Sequence, residues 1–163
     1  MHNSKVEQIL NECKADLERT NQVVVGLGVT SHIVPYLNKY AIIRACGSVE
    51  VAFKAIIADY CSKRSKQQVK TFIEKKVRDS SRNPSWDAIC QTLAEFDDNW
   101  TEGFKTAVKA RIDQQILRDS LQSLVDARNE FAHGGNPGAS IGDVIKYFEH
   151  SREILKELDK VVQ

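Results

Sequence analysis

The stretch from Tyr36 to about Ser62 constrains the fold more than any other part of the chain. It follows Pro35, and its apolar residues occupy nearly every position around a helix, so that almost no polar face remains. A helix that is apolar nearly all round has to be covered by neighbouring elements. We therefore predict that this segment is the central helix of the protein.

Amphipathic segments with helical periodicity lie on both sides of this apolar stretch. The first runs from about Ser4 to Val25, and Ser4 with Glu7 matches the pattern of a capping box. The last runs from Ser140 to about Val162, and Ser140 with Asp143 is an acidic variant of the same pattern. Further helices are predicted over Lys63–Arg82, from about Trp86, over Trp100–Ala110 as a hairpin or kinked pair with its predecessor, and over Ile112–Ala132. With only 8 glycines and 3 prolines, the chain fits an all-α fold in a single domain, residues 1–163.

The cysteines and the N-terminal residues indicate a cellular compartment. Cys13, Cys46, Cys61 and Cys90 are scattered, without a C-x-x-C pair or a histidine at metal-ligand spacing. We expect reduced thiols, most of them packed as small hydrophobic residues. The first residues lead directly into charged helical sequence, and no apolar run approaches the roughly 18 residues of a spanning helix. These features predict a cytoplasmic protein that is neither exported nor embedded in a membrane.

One stretch is strongly basic although the net charge of the whole chain is only +1. Between residues 63 and 82, eight basic residues stand against Glu74 and Asp79, a local net charge of +6. Two interpretations are open: an ordinary solvated helix face, or a track for a phosphate backbone, which needs no sequence-specific geometry. The candidate RNA-binding residues are Lys63, Arg64, Lys66, Lys70, Lys75, Lys76, Arg78 and Arg82.

The end of the Ile112–Ala132 segment contains the strongest candidate for a functional site. Arg128, Asn129 and His133 lie within one and a half helical turns, and Gly134 suits the left-handed position that ends a helix. On a helical wheel Arg128 falls on the apolar stripe, where an unpaired guanidinium is costly. A histidine there is a suitable general acid or base. The same residues also match an ordinary pattern of positive charge at a helix C-terminus, and spacing alone favours that interpretation.

A second anomaly lies inside the central apolar segment. Arg44 and Glu50 flank the small residues Gly47 and Ser48 at positions where only packing is expected. Both charged side chains could reach the surface or bond to local neighbours. Alternatively, Glu50 is the acidic partner of Arg128.

These two stretches resemble one known family. Arg128-Asn129-x-x-x-His133 at the end of a helix is similar to the R-x4-6-H signature of the HEPN superfamily. Together, the residues from Ser123 to Gly134 and those from Tyr40 to Glu50 resemble the branch called RiboL-PSP-HEPN. The resemblance implies an HEPN-like bundle of about five to seven helices with an up-and-down core of four long ones.

The resemblance also implies an activity. Active HEPN members are endoribonucleases that need no metal or cofactor, and many are toxins or antiphage and abortive-infection effectors. Two copies pair so that their R-x4-H motifs share one cleft. His133 would then transfer protons at the ribose 2′-hydroxyl or the leaving oxygen, Arg128 would stabilise phosphate charge and Asn129 would orient one of them, with Glu50 and Arg44 in support. We therefore expect an RNA-cleaving homodimer, with an antitoxin or a nucleotidyltransferase-type protein as a further partner. The alternative is a non-catalytic dimerisation or regulatory module that binds a partner protein or RNA.

Overall fold

A computed structural model describes residues 1–28 and 30–163, and in this part of the chain it contains seven α-helices and no strand. The all-α prediction is confirmed. A π-helical segment, Glu74–Arg78, continues the third helix directly. The helices are α1 (Ser4–Leu27), α2 (Val34–Ser62), α3 (Gln67–Ile73), α4 (Trp86–Ala94), α5 (Asp98–Lys109), α6 (Gln114–Ala132) and α7 (Ile141–Val161).

The four long helices α1, α2, α6 and α7 pack around one hydrophobic core. Helix α2 contacts the other three, and α7 packs against α1, α2 and α6. Each long helix contributes fully buried side chains, such as Leu10, Phe53, Leu124 and Phe148. The α4–α5 hairpin covers α7 and part of α6, as the periodicity between Trp86 and Ala110 predicts. Helix α2 is therefore the central helix that its apolar sequence indicates.

One face of α2 is nevertheless left bare, which corrects the expectation that neighbours cover it all round. Tyr36, Tyr40, Ile43 and Val51 are exposed, Tyr36 by 69% and Ile43 by 42%. They lie three, four or eight residues apart and therefore form one line along the helix. Gly47 lies in the middle of this line and is also exposed. We call Tyr36, Tyr40, Ile43, Gly47 and Val51 the α2 stripe.

The same face of α2 is covered in its second half by the basic segment. Ala58 packs against Ile73 and Val77 in a small second core, with half-buried Cys61 beside it. Arg78 forms an ion pair with Asp59 of α2. The predicted single helix over Lys63–Arg82 is wrong, because Arg64 takes a left-handed conformation (φ 60°) and α3 begins only at Gln67.

Side-chain caps set the ends of several helices. Asn3, not Ser4, caps α1: its side-chain oxygen accepts the Val6 amide at 3.2 Å. An asparagine can do more here than a serine, because its amide nitrogen also donates to Asp59 of α2 at 2.9 Å. Ser140 and Asp143 form the predicted capping box of α7.

The four cysteines are free thiols, with Cys13 and Cys46 buried and Cys61 and Cys90 half-buried. Burial raises the pKa of the Cys46 thiol to about 12. In the described part of the chain, no helix combines the length and the apolar character needed to cross a membrane.

Candidate functional site

The R-x4-H motif, Arg128 to His133, lies at the C-terminal end of α6, and two glycines fix the shape of that end. The Gly135 amide donates to the Glu130 carbonyl at 2.8 Å and the Gly134 amide donates to the Phe131 carbonyl at 3.0 Å. Gly134 has φ +84°, and this pair of bonds is a Schellman motif. A Cβ on Gly135 would lie 2.6 Å from Cγ and 2.9 Å from the carbonyl oxygen of Glu130. The sequence therefore stops the helix directly after the histidine.

His133 is the last residue before this turn, and its side chain is exposed. Its backbone amide still donates to the Asn129 carbonyl at 3.0 Å, so the helix holds the Cα position. The imidazole makes no hydrogen bond to any other described residue. An exposed imidazole on a fixed backbone is free to contact a bound molecule.

Arg128 is half-buried and makes no ion pair within residues 1–28 and 30–163. Its Nη1 donates to the side-chain oxygen of Asn129 at 3.2 Å. Its positive charge acts on the Cys46 thiol of α2, although burial is the larger influence on the pKa of that thiol. Arg128 therefore lies beside the middle of α2, with a guanidinium that has no carboxylate to neutralise it.

Asn129 joins the motif to a distant part of the chain. Its side-chain oxygen also accepts a hydrogen bond from the Asn83 amide at 2.8 Å. Asn83 belongs to the connector before α4, so Asn129 Oδ1 accepts hydrogen bonds from two donors, Arg128 on α6 and Asn83 in the connector. This arrangement fixes the amide orientation of Asn129 and with it the position of the Arg128 guanidinium.

The predicted pairing of Glu50 with Arg128 is not formed. Glu50 instead accepts a hydrogen bond from Lys54, one helical turn further along α2, with Nζ 2.5 Å from Oε1. Lys54 is only 4% exposed, and it also donates to the Ser80 carbonyl. The reason is proximity, since a lysine four residues away on the same helix reaches the carboxylate without crossing to α6. Glu50 and Lys54 thus anchor the connector that carries Asn83.

Arg44 also lies apart from the motif. Its Nε donates to Asp16 of α1 at 2.9 Å, and its Nη1 donates to Ser48 at 2.8 Å. These partners place it on the side of α2 that faces α1, whereas Cys46 and Arg128 lie on the side that faces α6. Arg44 therefore makes no hydrogen bond or ion pair with a described residue that would support its predicted role at the motif, because its guanidinium pairs with the nearer carboxylate of Asp16.

The eight candidate RNA-binding residues divide into two groups. Arg78 is paired with Asp59 and Glu74, and Arg82 is paired with Glu95 at 2.6 Å. These two arginines anchor the segment to α2 and α4. The other six are exposed and form no ion pair in the part of the chain that the structure describes: Lys63, Arg64, Lys66, Lys70, Lys75 and Lys76. Phe72 projects from the same basic segment and is 61% exposed.

Two residues beside the motif have no role in the sequence interpretation. Asn83 lies in the connector just before Ser85, the cap of α4, and its side-chain amide donates to Asn129. Lys39 of α2 lies 5.5 Å from the centre of the Phe131 ring, and it donates to Asn136 beyond the helix end at 2.6 Å. Spacing could not reveal either contact, since each joins residues about 46 or more positions apart.

The described residues contain no group of three or more His, Cys, Asp or Glu side chains arranged to hold a metal ion.

No curated protein and no solved structure shows significant similarity to this chain. A family model does match: the model of RiboL-PSP-HEPN covers residues 2–163. The match includes both stretches that resemble this family and extends over all seven helices. The chain therefore belongs to the RiboL-PSP-HEPN family.

Proposed function

We propose that this protein is a metal-independent endoribonuclease that acts as a homodimer. The observation that carries the proposal is the state of the motif: an exposed histidine and an arginine without a carboxylate partner, held at a rigid helix end by Asn129 and Asn83. Family membership supports a role of this kind, and the exposure of His133 suits it because a catalytic imidazole has to reach the substrate.

The chemistry assigned to the motif is attack of a ribose 2′-hydroxyl on the adjacent phosphorus. A bond forms between the 2′-oxygen and phosphorus, the bond to the 5′-oxygen breaks, and the products are a 2′,3′-cyclic phosphate and a 5′-hydroxyl. His133 takes the 2′-hydroxyl proton or gives a proton to the leaving oxygen. Arg128 stabilises the charge that develops on the phosphate oxygens, and Asn129 positions Arg128. Two histidines, one from each copy, would divide the two proton transfers.

The α2 stripe supports the homodimer and suggests where the copies meet. It is apolar, exposed and continuous for four turns, which is unusual for a surface that stays in water. Gly47 at its centre adds no side chain, and a Cβ there would meet no atom within 4 Å. Two antiparallel α2 helices can therefore cross closely at Gly47 about a two-fold axis.

This crossing would bring the two motifs near the same axis. Cys46 is next to Gly47 in the chain, and the charge of Arg128 acts to lower the pKa of its thiol, against the larger effect of burial. Arg128 of each copy would thus lie near the level of the crossing point along α2. The two motifs would flank one groove, and the basic segment after α2 would extend it for the rest of an RNA strand, with Phe72 available to stack on a base.

The test of catalysis is RNA cleavage by the purified protein in EDTA. We expect a 2′,3′-cyclic phosphate end, which mass spectrometry identifies, and loss of cleavage in Arg128→Ala and in His133→Ala. His32→Ala removes another exposed histidine and serves as the control that keeps activity. Cleavage that survives both motif substitutions would disprove the assignment, and so would a wild-type dimer that cleaves no cellular RNA.

The test of the dimer is sedimentation of Ile43→Asp against Ile116→Asp. Both isoleucines are exposed, by 42% and 55%, but only Ile43 lies in the α2 stripe. We expect a dimer for the wild type and for Ile116→Asp, and a monomer that no longer cleaves RNA for Ile43→Asp. A monomeric wild type, or a dimeric Ile43→Asp, would contradict this interface.

In the cell, such an enzyme would act as a toxin or as an antiphage or abortive-infection effector, restrained by a partner such as an antitoxin. Induced expression in a bacterial host should then stop growth, and His133→Ala should restore it. The second candidate function is a non-catalytic regulatory module, which the α2 stripe also favours, because an apolar surface of this length can bind a different protein. Normal growth with wild type and variant alike, together with stable capture of a nucleotidyltransferase-type or other partner, would favour this second function.

A further inference from the structure

A cleft of about 340 Å³ lies between α4, α5 and the first half of α6, apart from the R-x4-H motif. This volume falls in the range of small-molecule sites. Three of its six lining residues carry a positive charge and none is acidic. The lining consists of Trp86, Lys105, Val108, Lys109, Gln114 and Arg118.

Arg118 is held in place by aromatic packing. Its guanidinium carbon lies 4.5 Å from the centre of the Trp86 ring. Trp86 is in turn stacked on Phe104, with ring centres 4.9 Å apart. The stack restricts the arginine while its N–H groups stay free, because Arg118 forms no ion pair among the described residues. A positioned guanidinium of this kind is ready to donate to a flat or tetrahedral anion.

The lysines of α5 add positive charge at the same place. Lys105 and Lys109 are one helical turn apart, and like charges at this spacing disfavour the helix. Lys105 is paired with Glu102, three residues earlier on α5, at 3.1 Å. Lys109 and Arg118 have no such partner within residues 1–28 and 30–163. The cleft therefore brings together two cations without an ion-pair partner in that part of the chain, Lys109 and Arg118, whose repulsion a bound anion would relieve.

We propose that this cleft binds the phosphate group of a nucleotide, supplied either by an RNA strand or by a free mononucleotide. Arg118 donates to the phosphate, and Lys109 and Lys105 neutralise its charge. The guanidinium of Arg118 lies over the Trp86 ring, so a base stacks on the outer face of the guanidinium. Gln114 contributes an amide that hydrogen-bonds the sugar or the base.

The position of Arg118 on α6 connects the cleft with the motif. Arg118 and Asn129 are eleven residues apart, which places them on the same line of the helix at a separation of roughly 16 Å. An RNA strand cut at the motif could therefore leave one of its other phosphates in the cleft. This RNA arm rests on the proposed function, whereas binding of a free mononucleotide does not.

The experiment uses two probes and no cleavage readout. Binding of AMP is followed by the NMR signal of the indole N–H of Trp86, a residue that lines this cleft. Binding of a short fluorescein-labelled 2′-O-methyl oligouridylate, which has no 2′-hydroxyl and cannot be cleaved, is followed by anisotropy over a range of salt concentrations. The variants are Lys109→Gln, which leaves the Trp86 stack untouched, and Lys109→Gln/Arg118→Gln. The controls are Lys146→Gln and Lys5→Gln/Lys146→Gln, which remove exposed lysines elsewhere.

The double variant should weaken binding of the oligonucleotide by about tenfold or more. It should also reduce the slope of log K against log salt concentration by about 1.4, or about 0.7 for each lost phosphate contact. If the cleft variants lose binding of the oligonucleotide but not of AMP, the cleft is assigned to an RNA strand. If they lose binding of both probes, the cleft also binds free nucleotides. The proposal is overturned if the wild type binds neither probe, or if the cleft variants match their controls. Since neither probe can be cleaved, failure here and failure of the ribonuclease assignment are separate results.

Discussion

Lys54 offers the sharpest test of how the site is supported, because one buried cation joins α2 to the connector that carries Asn83. We consider Lys54→Met, which keeps the length and the apolar stem of the side chain and removes the charge. The substitution deletes the ion pair with Glu50 and the hydrogen bond to the Ser80 carbonyl. Methionine fits the space, so packing changes little.

The expected cost follows from the burial of the two partners. Breaking a buried ion pair from one side costs about 3–5 kcal/mol, since the remaining charge has lost its partner. The Glu50 side chain is still 22% exposed, so water reaches the carboxylate and the lower end of this range applies. We expect a loss of about 3 kcal/mol in the free energy of unfolding. For a chain of this length, each kcal/mol corresponds to about 2–4 °C in Tm, so Tm should fall by about 6–12 °C.

The assay is urea unfolding followed by circular dichroism, with Lys146→Met as the control for loss of an exposed lysine. The double variant Lys54→Met/Glu50→Gln should recover part of the lost stability, because it also removes the unpaired carboxylate. RNA cleavage should fall in the single variant even at temperatures where it is folded, since the connector no longer holds Asn83 against Asn129. A loss below about 1 kcal/mol in Lys54→Met would refute the reasoning, as would a double variant no more stable than the single one.

Three further predictions concern the helix ends and the core. Gly135→Ala should destabilise the protein by about 1–3 kcal/mol in thermal unfolding, because its Cβ would press on the carbonyl oxygen of Glu130. Cys46, whose thiol pKa is raised by burial to about 12, should resist alkylation around pH 8 in the folded protein and react once urea unfolds it, as mass spectrometry would show. Hydrogen bonds from Ser140 lower the pKa of Asp143, so its stabilising effect is present above about pH 4 and is lost as the pH falls through the lowered value. The stability difference between wild type and Asp143→Asn should accordingly be larger at neutral pH than at strongly acidic pH.

Local signals in the sequence predict much of this fold. The capping box at Ser140, the helix stop at Gly134 and the central place of α2 each depend on residues within a few positions of one another. The long helices are found for the same reason, because an apolar stripe at helical spacing identifies its own helix. The ends of α3 are missed, since the left-handed Arg64 has no warning in its residue type.

The candidate site depends on contacts that helical spacing does not contain. Glu50 pairs with Lys54 and not with Arg128 because Lys54 is nearer in space. The spacing of four residues between Glu50 and Lys54 is a sequence signal that could have predicted this pair. The contact of Asn83 with Asn129 depends on how the connector crosses α6. The α2 stripe is hidden in the sequence for a related reason: apolar residues on every side show that a helix needs neighbours, but not which side they leave open.

The basic segment is attached to α2 by the small second core of Ala58, Ile73 and Val77, which makes it less stable than the rest of the protein. Among the described residues, the buried packing between residues 67–78 and α2 consists of this small core with half-buried Cys61 beside it, and the ion pair of Arg78 adds to it. A unit with so few buried contacts opens locally at a free energy below that of global unfolding. We expect its amide protons to exchange with deuterium sooner than those of the four long helices. Each opening uncovers Ala58 in line with the α2 stripe, so the apolar surface offered to a second molecule lengthens whenever this segment detaches.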